Sequence, residues 1–326
     1  MHLSCLKKDI FHIYGLNMNI RKENQAYMFA SLTILFWSTV ATAFKIALNY
    51  LDYIELLLFA SLTSVVILGI ILVSQGRLQL IFHQKVKQYL FSALLGFLNP
   101  FLYYLVLFKA YTLLPAQVAQ PLNMIWPIVL VFLAIPFLKQ KPGIKSFVAL
   151  FISFGGVFLI SSQGNLSGYH IDEPLGVALA AGSSIIWSFF WILNVRDKRD
   201  EVVKLFLNFL FAMIFILLLY VLRGNYRTIP VKGFTAALYV GAFEMGFSFV
   251  FWLKALQLAR STDVISNMVY LSPFISLIFI HFILGEQIYI TTIAGLVLIV
   301  FGIILQKLRL TGVIKKPGEK PSEILK

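Results

Sequence analysis

Ten separate runs of mostly apolar residues divide this sequence, each close to the roughly twenty residues of helix that cross a hydrocarbon core about 30 Å thick. They fall at about 29–48, 53–73, 89–109, 116–137, 146–162, 174–195, 203–222, 234–256, 263–284 and 290–308. Inside hydrocarbon the backbone must satisfy its own hydrogen bonds, which leaves helices or closed barrels. Barrel strands alternate in polarity over short segments, whereas these runs are apolar on every face. The expectation is an all-α integral membrane protein with ten transmembrane helices. Composition agrees, since 60% of the 326 residues are hydrophobic and 13% charged, against about half and about a quarter in soluble domains. An ordinary water-soluble enzyme is excluded.

A net charge of +13 would suggest nucleic acid in a soluble chain, but here the basic residues occupy the connections between apolar runs. If the N-terminus is cytoplasmic, all of the 27 Lys and Arg fall on the inner side except Lys45, Lys109, Arg223, Arg227 and Lys232. That asymmetry is the positive-inside signal, and it predicts a multi-pass protein of the cell (inner) membrane with both termini cytoplasmic and no nucleic-acid partner. Arg223, Arg227 and Lys232, after the seventh run, depart from the trend. The single cysteine, Cys5, allows neither an internal disulfide nor a CxxC metal site, and no metal or cofactor is expected. Met1 to Tyr27 has no apolar core ending in a small-residue cleavage site, so no cleaved signal peptide is expected; Met1 and Met18 are both candidate starts.

Rare residues recur at fixed offsets. Trp37-Ser38 matches Trp187-Ser188 at 150, Gly96 and Lys109-Ala110 match Gly241 and Lys254-Ala255 at 145, and Pro127 and Gly156 match Pro273 and Gly302 at 146. Five runs per half is odd, so the second half would cross in the opposite sense, the geometry of an inverted repeat. The expected organisation is a cytoplasmic segment 1–28, a first five-helix repeat 29–162, an outer linker 163–174, a second repeat 175–308 and a cytoplasmic tail 309–326.

The pieces Leu35-Phe36-Trp37-Ser38, Trp126-Pro127, Ala255-Leu256 before Arg260-Ser261-Thr262, and Leu271-Ser272-Pro273 before Leu284-Gly285-Glu286 resemble, in this order and spacing, the drug/metabolite transporter superfamily. The resemblance is to its EamA-type ten-helix branch and covers about 29–308. The Trp-Ser and Trp-Pro pieces are also similar to YddG-type aromatic amino-acid exporters. In the first half the Leu-Gly-Glu position reads Leu138-Lys139-Gln140, and Ser61 stands where many relatives carry Arg. These departures leave the substrate open.

Each polar residue within a span calls for a reason, because a mid-bilayer carboxylate costs about 2.5–3.5 kcal/mol on insertion scales. Glu244, about ten residues into the eighth span, is paired by the repeat offset with Asn99 in the third. Glu244 reads as a proton site or a partner for a substrate ammonium, or else as a group bonded to a neighbouring helix. Gln117, Gln120, Met124 and Pro127 share one helical face, which the offset matches to Asp263, Ser266, Tyr270 and Pro273. Gln120, Asn123, Asn267 and Tyr270 are cavity-lining candidates, the alternative being polar residues that join packed helices. Asp263 reads more as a cap or a solvated group. Trp37 and Trp187 sit mid-span, facing a substrate or packed in the core, with Ser38, Ser188 and Trp252 sharing that status. Lys45 snorkels to headgroups or binds a substrate carboxylate. His281 titrates or packs, and Glu286 reads as a structural helix-end contact. Pro100, Pro127 and Pro273 are helix-break candidates, and breaks at matching places in two repeats point to a transporter site. Gly155-Gly156, Gly295 and Gly302 are expected to permit close helix packing.

These features predict a secondary transporter of a small molecule, working by alternating access. There is no GxxxxGK[ST] loop, so no ATP is expected to act directly. With the resemblance, the expectation sharpens to a proton-coupled exporter of amino acids or related amphipathic, aromatic compounds. Uptake of a nutrient or cofactor-like metabolite is the alternative, and an integral-membrane transferase a remote one. A multiply charged sugar phosphate would want several intramembrane bases, and only Lys45 is placed to serve. Besides substrate, the bilayer is the expected partner; the oligomeric state is open.

Overall fold

The structure, a computed structural model, describes residues 2–138, 144–165, 173–224, 226–259, 265 and 268–307. Every regular element among the described residues is helical. The helices are α1 (His2–Leu48), α2 (Tyr53–Ser74), α3 (Val86–Gly96), α4 (Tyr103–Leu113), α5 (Ala116–Asn123), α6 (Trp126–Leu138), α7 (Ile144–Ser161), α8 (Pro174–Arg196), α9 (Glu201–Arg223), α10 (Val231–Val240), α11 (Phe247–Leu258), α12 (Ser272–Leu284) and α13 (Ile290–Lys307). Among the described residues seven stretches are long and apolar enough to cross a membrane: Lys22–Leu48, Tyr53–Ser74, Val86–Leu113, Ala116–Phe137, Pro174–Asn194, Glu201–Arg223 and Val231–Leu258. Shorter apolar helices cover Phe147–Ser161, Val269–Leu284 and Ile290–Leu305. The outward faces are strongly apolar, with Phe282 79% and Phe151 73% exposed. Such a surface suits lipid and would aggregate in water.

Where the sequence reading separates a segment 1–28 from the first span, α1 runs unbroken from His2. Residues 16–28 contain neither Gly nor Pro, so nothing in them ends a helix, and the membrane boundary need not be a helix boundary. The helix ends that do occur have local causes. Asp52 and Glu55 form a capping box at the start of α2: Asp52 Oδ1 accepts from the N–H groups of Ile54 (2.8 Å) and Glu55 (3.1 Å), and Glu55 Oε2 accepts from the N–H of Asp52 (2.9 Å). Asp200 caps α9 in the same way, accepting from Val202 and Val203. Gly224 ends α9 and Gly285 ends α12 at positive φ (66° and 71°), a conformation that favours glycine.

Two long stretches are interrupted midway by π turns, Phe97–Leu102 between α3 and α4 and Gly241–Gly246 between α10 and α11. Pro100 lies in the first, where its missing N–H breaks the ladder and Asn99 is extended (φ −149°, ψ 120°). The second has no proline. Pro127 and Pro273 occupy the second positions of α6 and α12, where a missing N–H costs no intrahelical bond. The chain is broken just before each, at Met124–Ile125 and in the 3-10 turn Val269–Leu271. All three prolines therefore lie at or just after interruptions of the helical chain.

Packing joins helices from opposite halves. α1 lies against α10, α11 and α12, and α8 against α4, α5 and α6; α2 packs on α9, and α7 on α13. Close approaches recur with the halves exchanged. Gly96 abuts the Asn208 carbonyl on α9, and Gly241 abuts the Ala60 carbonyl on α2. A Cβ on Gly156 would fall 2.5 Å from the Gly295 carbonyl oxygen, one on Gly295 2.5 Å from that of Gly156, and one on Gly302 2.8 Å from that of Ala149. Without a hydrophobic drive in lipid, such backbone contact is what holds helices together. Gly155 departs from expectation: it is exposed, with nothing near its absent Cβ.

The helix connections gather at two ends. At one, Glu286, Lys45, Asp52, Arg223 and Arg227 meet; at the other, Arg77, Ser92, Asp197, Arg199 and Lys204. These are called the Glu286 end and the Asp197 end. At the former, Arg227 Nε and Nη2 reach the fully buried Glu55 at 2.6–3.1 Å, and Arg223 pairs with Asp52. The two arginines that break the basic-residue asymmetry are thus held by ion pairing. At the latter, Arg199 chelates Asp197 (2.5–3.0 Å) and reaches Ser92 Oγ (2.8 Å), tying the α8–α9 connection to α3. Burial works to raise the Asp197 carboxyl, but the hydrogen bonds and charge of Arg199 outweigh it and leave it below the ordinary Asp range. Asp52 is lowered likewise, with burial outweighed by Arg223 and by the two capping N–H groups.

Candidate functional site

Glu244 lies in the π turn Gly241–Gly246 and is 9% exposed. Its Oε1 accepts a hydrogen bond from the Tyr104 hydroxyl at 2.9 Å. Tyr104 is fully buried in the first turn of α4, its ring 4.7 Å from that of Tyr103. The Tyr103 hydroxyl donates to Asn123 Oδ1 (3.1 Å) at the end of α5, and Asn123 Nδ2 donates to Ser183 Oγ (2.7 Å) on α8. Two neighbouring tyrosines in ring contact thus set two hydrogen-bonded groups side by side in the interior, one at the α10–α11 turn and one reaching α8. Other buried carboxylates, Glu55 and Asp197, are neutralised by arginine. Among the described residues Glu244 has a phenol and no cation.

Asn99 is 1% exposed, and neither amide atom has a hydrogen-bond partner among the described residues. Asn208 on the facing α9 is in the same condition. A carboxamide supplies donors and acceptors together, and burying them unpaired is costly. Asn99 and Glu244 both point inward rather than to lipid. No hydrogen bond joins them, and neither lines the two open clefts at the Glu286 end.

The remaining candidates divide. Gln120 is buried with Oε1 unpaired among the described residues, and Tyr270 is buried in the turn before α12. Asn267, Asp263 and Ser266 lie outside the described residues. Trp37 and Trp187 do not face each other: Trp37 packs on Trp252 (5.4 Å), while Trp187 stacks on Tyr103 (4.7 Å) and approaches Phe249 (5.9 Å). They meet the same helix, α11, from opposite halves. Ser38 Oγ lies 3.3 Å from Ser272 Oγ, and its counterpart Ser188 donates to the Trp126 carbonyl at 2.8 Å, again with the halves exchanged.

Three charged or titratable residues turn out to be builders. Lys45 turns inward instead of snorkelling, its Nζ donating to the Tyr111 and Leu114 carbonyls (both 3.0 Å) at the C-terminus of α4. Glu286 accepts from the N–H groups of Ala116 (2.8 Å) and Gln117 (3.1 Å), supplying the cap that Pro115 cannot give α5. Gln117 reinforces this junction through Gln287 and Tyr289. His281 Nδ1 sits 3.0 Å from the Glu286 carbonyl and anchors the same loop.

Tyr103, Tyr104 and Ser183, which bond the candidate residues, and buried Asn208 opposite Asn99 were not singled out by sequence reasoning. Two tyrosines away from the interfacial belt, three and four residues beyond Asn99-Pro100, were the available signal. In a chain with 15% aromatics it did not stand out.

Comparison with known proteins bears on what such an arrangement belongs to. Residues 24–162 and 174–306 match the EamA-like transporter family. An uncharacterized transporter of Archaeoglobus fulgidus is 25% identical over 284 residues, covering 85% of this chain and 96% of that protein. The uncharacterized transporter YvbV of Bacillus subtilis is 26% identical over 294 residues, covering 87% and 92%. A crystal structure of a further protein superposes with a TM-score of 0.63 at 17% identity, over 89% of this chain and 99% of that one, and shows the same fold. With both halves matched and apolar spans throughout, the chain belongs to the EamA-like transporter family of the drug/metabolite transporter superfamily and is a multi-pass membrane transporter of small molecules.

Proposed function

We propose that the chain crosses the cell (inner) membrane ten times as two inverted five-helix repeats, 29–162 and 175–308, with both termini cytoplasmic, and moves its substrate by alternating access. The exchanged contacts support this: Gly96 with α9 against Gly241 with α2, and Ser38 with Ser272 against Ser188 with Trp126. So do the matching interruptions in both halves, the place where unwound transporter helices bind their cargo. The excess of Lys and Arg at the Asp197 end supports a cytoplasmic assignment for that side.

The substrate proposed is an amino acid or a related amphipathic, aromatic compound, exported in exchange for protons. The carrying observation is the Glu244–Tyr104 pair, a buried carboxyl with a phenol and, among the described residues, no cation. A proton or a substrate ammonium is the charge that would complete it. The aromatic neighbours Tyr103, Trp187, Trp37 and Trp252 suit a flat or cationic side group. Asn99, Gln120, Asn123, Asn267 and Tyr270 are proposed as the polar lining. Lys45 is better placed as a cap than as a substrate ligand.

The test is flux in proteoliposomes under an imposed pH gradient. Glu244→Gln is expected to abolish gradient-driven uphill flux while leaving substrate counterflow, and Tyr104→Phe to lower it by about tenfold, the scale of one lost hydrogen bond to a charged group. Intact gradient-driven flux in Glu244→Gln overturns the proton assignment.

A further inference from the structure

A cleft of about 480 Å³, within the range of small-molecule sites, lies between α1, α10 and α12 at the Glu286 end. It uses the face of α1 opposite the one that carries Trp37 and Lys45, and it opens sideways where Ile283 is exposed. Its chemistry is graded. Lys232 stands at the rim, the hydroxyls of Thr235, Tyr239, Thr39 and Thr42 follow, and Ile46, Phe279 and Ile283 make the apolar wall.

Three observations separate this cleft from ordinary packing. The Thr42 hydroxyl is buried, with the residue 3% exposed, and has no partner among the described residues, although Thr33 and Thr63 bond the carbonyl four residues back. The polar lining, drawn from α1 of the first half and α10 of the second, is also not repeated at the symmetry-related positions. At the repeat offsets Thr39, Thr42, Thr235 and Tyr239 correspond to Phe189, Ile192, Leu90 and Leu94, so neither the fold nor the symmetry calls for hydroxyls there. Finally, Arg223 and Arg227 beside it are spent on Asp52 and Glu55, whereas exposed Lys232 has no carboxylate partner among the described residues.

We infer that this cleft is a binding site for one anionic phospholipid, its phosphate on Lys232 and its acyl chain along Ile46, Phe279 and Ile283. Thr235 lies about 4.5 Å deeper along α10 than Lys232 and Tyr239 about 10 Å deeper. The hydroxyls therefore sit below the ammonium, as a lipid's ester carbonyls sit below its phosphate; Thr235 already donates to the Lys232 carbonyl (3.1 Å), and Thr42, whose hydroxyl is unspent, donates to an ester carbonyl. This site is separate from the Glu244–Tyr104 pair and does not depend on it.

Native mass spectrometry of the full-length protein, with phosphatidylglycerol and phosphatidylcholine of identical chains as probes, tests the assignment. The wild type is expected to retain phosphatidylglycerol about fivefold more than phosphatidylcholine, the effect of one lysine at an anionic surface. Lys232→Gln removes the preference, Lys232→Arg keeps it, and Thr42→Val weakens retention of both lipids. Lys87→Gln, the same exchange at the repeat-related position beside Leu90 and Leu94, leaves the preference intact. A preference that survives Lys232→Gln, an equal loss in Lys87→Gln, or a dimer that retains no lipid overturns the inference.

Discussion

Glu55 and Glu244 are both buried carboxylates, and their different partners give them different consequences. Removing Arg227 strands Glu55, and breaking a buried pair in this way costs about 3 kcal/mol, the low end of the range because Arg227 is itself half-exposed. Arg227→Ala should show that loss in detergent unfolding, and Arg227→Ala with Glu55→Gln should recover most of it. Asp197 predicts a pH signature. Its carboxyl is held below the ordinary Asp value of about 3.9, so its stabilisation is complete above that value and is lost as pH falls through the lowered one. The stability gap between wild type and Asp197→Asn should be constant from about pH 5 to 8 and shrink below about pH 4. Single residues were unevenly legible in the sequence. Glu244 and Asn99 were visible because polarity inside an apolar run is rare. Arg223 and Arg227 were opaque because their partners lie about 170 positions away, and Tyr104 because an aromatic in an aromatic-rich chain carries little information.

Among the elements, the interruptions that contain a proline could be read directly. The Gly241–Gly246 turn could be reached only through its counterpart Phe97–Leu102, since glycine breaks a helix less reliably than proline. Glycine packing was half legible. Gly155 and Gly156 are adjacent and alike in sequence, but helical geometry turns one to lipid and the other onto α13. Gly156→Leu should therefore cost about 1–3 kcal/mol of stability or more, because the obstructing atoms are backbone, while Gly155→Leu should stay within about 0.5 kcal/mol. Thermal unfolding of the two variants side by side distinguishes these outcomes.

For the molecule as a whole, the alternation of connections between two ends follows from the apolar runs and the basic-residue asymmetry. What could not be read was which helix meets which, because lipid-facing and protein-facing sides are equally apolar and no amphipathic stripe marks the contact face. The sidedness itself can be tested in a Cys5→Ser background. Lys198→Cys and Tyr226→Cys, both at exposed positions near opposite ends, should react with a membrane-impermeant thiol reagent from opposite sides of intact cells, Tyr226→Cys from outside. Labelling of both from one side overturns the inverted arrangement.

The corner between α4 and α5 is gripped from two directions, by Lys45 on its carbonyls and by Glu286 on its N–H groups. A corner clamped by opposite charges behaves as a stiff joint, so bending strain must concentrate elsewhere along the same two spans. The weakest sections are the turn at Asn99 and the break before Pro127, each about half a span away from the corner. Flexure there would swing the lower arms of both spans while the upper corner stayed fixed, as a pair of levers moves on a common mount.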